Sequence, residues 1–397
     1  MAPAPVDRSH DVLVVGGGNG GISTAALLLR RGCPDVGLVD PSETHWYKPL
    51  QNYVGGGLCD LDELRRPQAS VVPPDVHWHR TAAVAVDPAA QVVTCADGTR
   101  IGYGDLVLSP GGQHDWSQVP GAGEAVTDGR AVSTYVGERA PEVWRQVQAL
   151  RSGTAVFTIH AGPSSGRETV LKPMFMACDH WRSAGVLDDI DVVLVCDTGR
   201  IHPVARIEQE IRTHLAGYGI TVREHTAVVA VEDRVVVLES PDGPERLPFD
   251  LLHLLPPYRA PAFLADSGLD AEGTRGYAAV DPETLQHPAH GRIWCIGDGA
   301  DLGTARTGGG LRRQVAVVVE NIRRSRRGEE LQRYDGYTVG PITTSRSRLS
   351  LGEYDRTDRL TPSIPLVDTV RSRRVWWVVD RYLLPWTYWH RILKGRV

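Results

Sequence analysis

The run Val14-Val15-Gly16-Gly17-Gly18-Asn19-Gly20-Gly21 constrains the fold more than any other stretch of this chain. Two β-branched residues lead into a turn of glycines, and small residues then continue as a helix. Gly16, Gly18 and Gly21 satisfy the pattern G-x-G-x-x-G. Asp40 closes the next apolar strand, Val36-Gly37-Leu38-Val39, nineteen residues later. Strand, glycine turn, helix and acid at these distances predict a βαβ unit that binds a dinucleotide. Glycines let the backbone approach a pyrophosphate, and the helix start at Asn19, Gly20 and Gly21 presents free N–H groups to it. Asp40 would accept from the ribose hydroxyls.

With 397 residues the chain can bury a substantial core and is expected to form two or three domains. Its formal net charge of −5 gives no basis for nucleic-acid binding. The six cysteines (Cys33, Cys59, Cys95, Cys178, Cys196, Cys295) show neither C-x-x-C nor metal-ligand spacing. They are expected to be reduced, buried thiols of a cytoplasmic protein, with no metal site. No leader-like segment is visible, and no apolar run reaches membrane-spanning length.

Alternating strand and helix patterns run through residues 1–152, a first dinucleotide-binding part. A second Rossmann-like unit is expected over 153–290, opening on Ala155-Val156-Phe157-Thr158-Ile159-His160. The chain is then expected to return to the first unit over 291–332 and to end in a region of different type, 333–397.

Further motifs follow in a fixed order: Pro41-Ser42-Glu43-Thr44-His45-Trp46-Tyr47-Lys48-Pro49, Tyr103-Gly104-Asp105-Leu106-Val107-Leu108-Ser109-Pro110-Gly111-Gly112, Ile296-Gly297-Asp298-Gly299, and Tyr334-Asp335-Gly336-Tyr337-Thr338. With the aromatic C-terminus, these resemble the sulfide:quinone oxidoreductase family over nearly the whole chain, particularly its mitochondrial-type branch. The resemblance implies an α/β fold of two Rossmann-like dinucleotide-binding domains, of the FAD/NAD(P)-binding, disulfide-oxidoreductase-like kind. It adds a C-terminal amphipathic membrane or quinone region. It also implies one FAD, held by Gly16, Gly18, Asn19, Gly20, Gly21, Asp40, Pro41, Lys48, Gly111, Gly112, Asp298, Arg306, Thr307 and Gly308.

The family works through a redox-active cysteine pair. At the two corresponding places this sequence carries Gly166 and Gly340. Glycine cannot supply the thiolate that takes up sulfur and attacks a flavin. The expected activity is therefore direct flavin redox chemistry on a quinone or quinone-like organic substrate, in a pocket formed by Gly166, Gly340, Tyr337 and Trp386. Arg306, Lys48 and Lys172 are the candidate catalytic groups, the first two as cations near the flavin. His160 and Glu168 are further acid–base candidates. Three readings stay open beside it: sulfide or persulfide oxidation through other thiols, an NAD(P)H:quinone oxidoreductase, and a non-catalytic flavoprotein partner. Against tight NAD(P)H binding stands Ala161-Gly162-Pro163-Ser164-Ser165-Gly166, where the glycine spacing is wrong and Pro163 removes a backbone donor.

The segment from Arg371 onward holds Trp376, Trp377, Trp386 and Trp389, with seven Lys/Arg and one acid, Asp380. Interfacial aromatics and basic residues predict contact with a membrane surface or a quinone. A location in the cytoplasm, peripheral on the inner face of a membrane, is expected, and a homodimer is left open.

Overall fold

The computed structural model describes residues 6–396, without the side chains of Arg167 and Glu168. The acid–base role expected of Glu168 lies outside the described residues. The strand Arg8–Val15 is central to a seven-stranded sheet. It pairs in parallel with Val36–Val39 on one side and with Arg100–Leu108 on the other. Residues Val12 to Val15 are buried on both faces, as a nearly continuous apolar run in a parallel sheet requires. His77–His79 extends the sheet in parallel beyond Val36–Val39. The antiparallel strands Val92–Cys95 and Ala83–Asp87 close the far edge.

A second sheet, all parallel, is built on Gly153–Ile159, with Ile190–Cys196 and Thr221–Arg223 on one side and Leu251–His253 on the other. A three-stranded antiparallel meander spans Ala227–Glu232, Val235–Ser240 and Gly243–Pro248. The chain then crosses back, and Ile293–Cys295 pairs with the Leu106–Leu108 end of the first sheet. The strand Ile293–Cys295 thus delivers Gly297-Asp298-Gly299 to the same sheet edge as the first glycine turn, because strands and loops alternate in the doubly wound manner. The long helix Gly308–Arg327 follows and packs on the helix Asn19–Arg30.

The region past residue 333 is a hairpin, Thr338–Ser345 with Arg348–Tyr354, which packs on the helix Leu171–Ser183. A bent helical segment then runs Arg374–Val378, through a wide π turn at Val379–Leu383, into Leu384–His390. No helix among the described residues is long and apolar enough to cross a membrane.

Candidate active site

The glycine turn folds as a close crossing of backbone on backbone. Gly16 has φ of +104°, and a Cβ at Gly21 would fall onto the Gly16 carbonyl. By contrast, a Cβ at Gly18 would meet nothing within 4 Å, so the turn is open on the side where a pyrophosphate belongs. The helix Asn19–Arg30 starts there without any side-chain cap. Its first N–H groups are therefore left free of side-chain partners, as an anion-binding helix start requires.

A second helix N-terminus converges on the same place. Thr307 caps the Gly308–Arg327 helix by accepting from the Gly310 N–H at 3.2 Å. A Cβ on Gly308 would lie 3.7 Å from Asn19 Nδ2. Gly111 (φ of +74°) is also open, and Gly299 packs on Pro110 and Gly111. Gly18 and Gly308 thus stand at two neighbouring helix starts, with the turns of Gly111 and Asp298 packed beside each other. These residues fit a bound FAD. Bound there, the flavin would supply reversible two-electron chemistry.

Asp40 is buried, and its carboxylate accepts from Gly17 N–H at 2.6 Å and Ser42 N–H at 2.9 Å. It clamps the glycine turn to the strand end, and Pro41 beside it is exposed. Gly309 and Gly310 have a packing cause. A Cβ on Gly309 would land on Val339 Cγ1, and one on Gly310 would lie 2.9 Å from the Tyr337 carbonyl. The hairpin strand Thr338–Ser345 crosses too closely for any side chain.

The Gly166 and Gly340 segments meet across the Arg306-Thr307 dipeptide. Gly166 N–H donates to the Arg306 carbonyl at 2.8 Å. Thr307 and Thr338 hydroxyls bond at 2.9 Å, two residues before Gly340. The space beside the two glycines differs. Gly340 is buried, yet a Cβ there would meet nothing within 4 Å. At Gly166 (φ of +60°) a Cβ would press on Thr169 at 3.2 Å. The Gly166 carbonyl accepts from the Tyr135 hydroxyl at 2.9 Å.

Among the candidate catalytic cations, Arg306 donates to the carbonyls of Asp298 and Ala300, both at 3.2 Å, and lies 4.2 Å over the Tyr277 ring. Lys48 is exposed at the start of a short helical turn. Lys172 is 1 % exposed, and its ammonium meets Asp380 Oδ2 at 2.8 Å. Tyr53 donates to the same oxygen at 2.7 Å. Lys172 therefore holds the C-terminal segment on the protein body. Arg381 adds a two-oxygen grip on Glu63, and Tyr388 bonds His45 Nε2 at 2.5 Å.

Tyr337 turns its hydroxyl to Glu353 at 2.5 Å, under the Arg313 guanidinium. Trp386 is 54 % exposed and packs at a tilt against the His390 ring. Val375, Val378, Tyr382 and Leu383 are likewise exposed, so the segment presents apolar side chains outward while Asp380 and Arg381 point in.

Two residues escaped the sequence reading. His114 and Tyr258 lie on short strands that pair antiparallel, with His114 Nε2 3.1 Å from the Tyr258 hydroxyl. Burial pulls the His114 imidazole down to about 4, helped by the charge of Lys48. The only signal in the sequence was position: His114 stands two residues after Gly112, and Tyr258 directly follows Pro256-Pro257.

The cysteines are all free. Burial raises the thiols of Cys178, Cys295 and Cys59, the last two to about 12.

Residues 10–152 match the family described as pyridine nucleotide-disulphide oxidoreductase. The mouse mitochondrial sulfide:quinone oxidoreductase is 28 % identical over 97 % of this chain and 87 % of its own length. Among solved structures, the sulfide:quinone oxidoreductase of Aquifex aeolicus superposes with a TM-score of 0.77 at 19 % identity, covering 96 % of this chain and 91 % of its own. A chain of the Tetrahymena thermophila mitochondrial ATP synthase, also 19 % identical, superposes at 0.84 over 100 % of this chain and 99 % of its own. Motifs, cleft and relatives agree: this FAD-binding oxidoreductase is a divergent relative of the sulfide:quinone oxidoreductases.

Proposed function

We propose that the protein passes electrons directly between its flavin and a quinone or quinone-like molecule, without a thiol relay. The observation that carries this reading is the pairing of Gly166 and Gly340 across the Arg306-Thr307 segment, at the mouth of the cofactor cleft. No thiol stands at either place, and burial suppresses the thiolate form of Cys59, Cys178 and Cys295. The open volume beside Gly340 suits an organic substrate larger than sulfide. The relatives are named for quinone as well as sulfide, and quinone is the part of that name which needs no cysteine.

In this reading the chain's own residues bind and orient. The two helix starts stabilise negative charge at the cofactor. Arg306 shapes the Asp298–Ala300 turn, and Lys48 contributes positive charge at the mouth. The outward-facing Leu383 and Trp386, with Arg373, Arg374 and Arg391 exposed nearby, suit contact with an anionic lipid surface from which a quinone is drawn.

The test is anaerobic reduction of the flavin in the purified holoprotein, followed by its visible band, with sulfide, NADH, NADPH and a hydroquinone in parallel. Bleaching by hydroquinone, with none by sulfide, is the expected result. Rapid bleaching by sulfide would overturn the proposal, and bleaching by a nicotinamide alone would make the protein a pyridine-nucleotide oxidase or reductase. Silence toward every donor would make it a flavoprotein partner subunit.

A further inference from the structure

We propose that Tyr258 and His114 form a proton path between solvent and the oxygen of the substrate bound at the flavin; this rests on the quinone reading above. Tyr258 is 5 % exposed. A Cβ on Gly112 would be 2.9 Å from Tyr258 Cδ1, which sets its ring against the flavin-binding turn. Asp298, Tyr277 and Tyr135 are the ionisable groups whose fields reach its hydroxyl. Asp298 and Tyr277 belong to the cofactor side, and Tyr135 is bonded to Gly166 on the substrate side.

Behind Tyr258 stands His114, in edge-to-face contact at 4.9 Å and hydrogen-bonded through Nε2. His114 is half-buried, with Trp116 beside it and Lys48 the charge that acts on it. Desolvation and that charge keep the imidazole neutral at physiological pH. A neutral imidazole conducts a proton by changing tautomer: Nε2–H gives its proton to the tyrosine oxygen while Nδ1 takes one from water.

The stoichiometry needs such a donor. A quinone becomes a hydroquinone by gaining a hydride equivalent and one further proton. A bound reduced flavin would supply the hydride equivalent and be oxidised by two electrons. The remaining proton leaves the Tyr258 hydroxyl for the substrate oxygen, is replaced from His114, and is finally supplied by water. Hydroquinone oxidation runs the same path in reverse.

The experiment compares two acceptors on the dithionite-reduced holoprotein in stopped flow. A short-chain benzoquinone needs the proton; ferricyanide takes electrons alone. Tyr258→Phe is expected to slow reoxidation by the quinone about 100-fold, with ferricyanide reoxidation unchanged. His114→Gln, which keeps a hydrogen bond but cannot change tautomer, is expected to do the same to a smaller degree. In the apoprotein, ¹⁵N shifts of His114 should report a neutral ring throughout about pH 5 to 8, with a tautomer balance that Tyr258→Phe alters. Equal slowing with both acceptors, an unchanged quinone rate in Tyr258→Phe, or protonation of His114 near its ordinary value would each overturn the path. A wild-type protein that reduces ferricyanide but no quinone would overturn the quinone reading itself, and the path with it.

Discussion

Lys172 Nζ and Asp380 Oδ2 lie 2.8 Å apart with both side chains almost wholly buried, joining residues 208 positions apart in sequence. Two charges removed from water are tolerated because each compensates the other and Tyr53 donates to the same carboxylate oxygen. Removing one partner strands the other. Asp380→Ala is expected to lower stability by about 3–5 kcal/mol and to expose the chain beyond residue 373 to proteolysis. The double variant Lys172→Met/Asp380→Leu should recover most of that loss. Urea unfolding and timed trypsin digestion measure both, and additive losses would contradict the pairing.

The glycines opening the Gly308–Arg327 helix separate by position. Helix propensity alone favours alanine by about 1 kcal/mol at each. At Gly309 the new methyl would fall on Val339, and overpacking of about 1–3 kcal/mol outweighs that gain, so Gly309→Ala should melt earlier. Gly308→Ala has room in the apoprotein and should not melt earlier, but its methyl intrudes on the cofactor cleft and should weaken FAD binding. Thermal denaturation of apoprotein and FAD titration separate the two effects.

Gly340 offers a steric test of the proposed substrate pocket. Gly340→Ala should fold and turn over normally, since its Cβ enters open space. Gly340→Leu should raise KM for a quinone several-fold while leaving ferricyanide reduction intact. An unchanged KM would show that substrate does not use this volume.

Stability should fall as the medium is acidified from about pH 6.5, and one histidine accounts for part of the slope. His253 is fully buried, accepts through Nε2 from the Thr134 N–H at 3.1 Å, and burial draws it down to about 3. The unfolded chain titrates near its ordinary value of about 6.5, so between these limits it binds more protons than the folded chain. That favours unfolding at low pH by up to about 1.4 kcal/mol per pH unit for one proton. His253→Gln should flatten the loss between about pH 7 and about pH 5, read from urea midpoints. An unaltered slope would place the proton uptake elsewhere.

Lipid contact is tested on the exposed face alone. Leu383→Glu/Trp386→Glu should reduce co-sedimentation with phosphatidylglycerol-containing vesicles without lowering the melting temperature, because neither side chain is buried.

The glycine turn was legible because its requirements are local. Gly16 to Gly21 and Asp40 must fall at fixed spacing for backbone to approach backbone, and that spacing is visible in the sequence. What was not legible depends on distant chain meeting in space. Lys172 read as a candidate acid–base group, but its role is set by Asp380. Asp40 read as a ribose acceptor, and the structure adds that its carboxylate holds the Gly17 N–H of the glycine turn as well as the Ser42 N–H. At Gly309 and Gly310 it is the crossing strand that forbids a side chain. His114 and Tyr258 sit in no periodic pattern, and only strand pairing brings them together.

The approach of Gly395 to the helix Asn19–Arg30, where a Cβ would stand 2.7 Å from the Leu27 N, has a consequence for biosynthesis. The helix Asn19–Arg30 finds this packing partner only in the far C-terminal segment. Until then its outer flank and the ring of His45 await Tyr388 and Leu393. A chain that has not yet made this segment exposes apolar surface beside its glycine turn, so chaperone capture and cofactor loading would both wait on its synthesis.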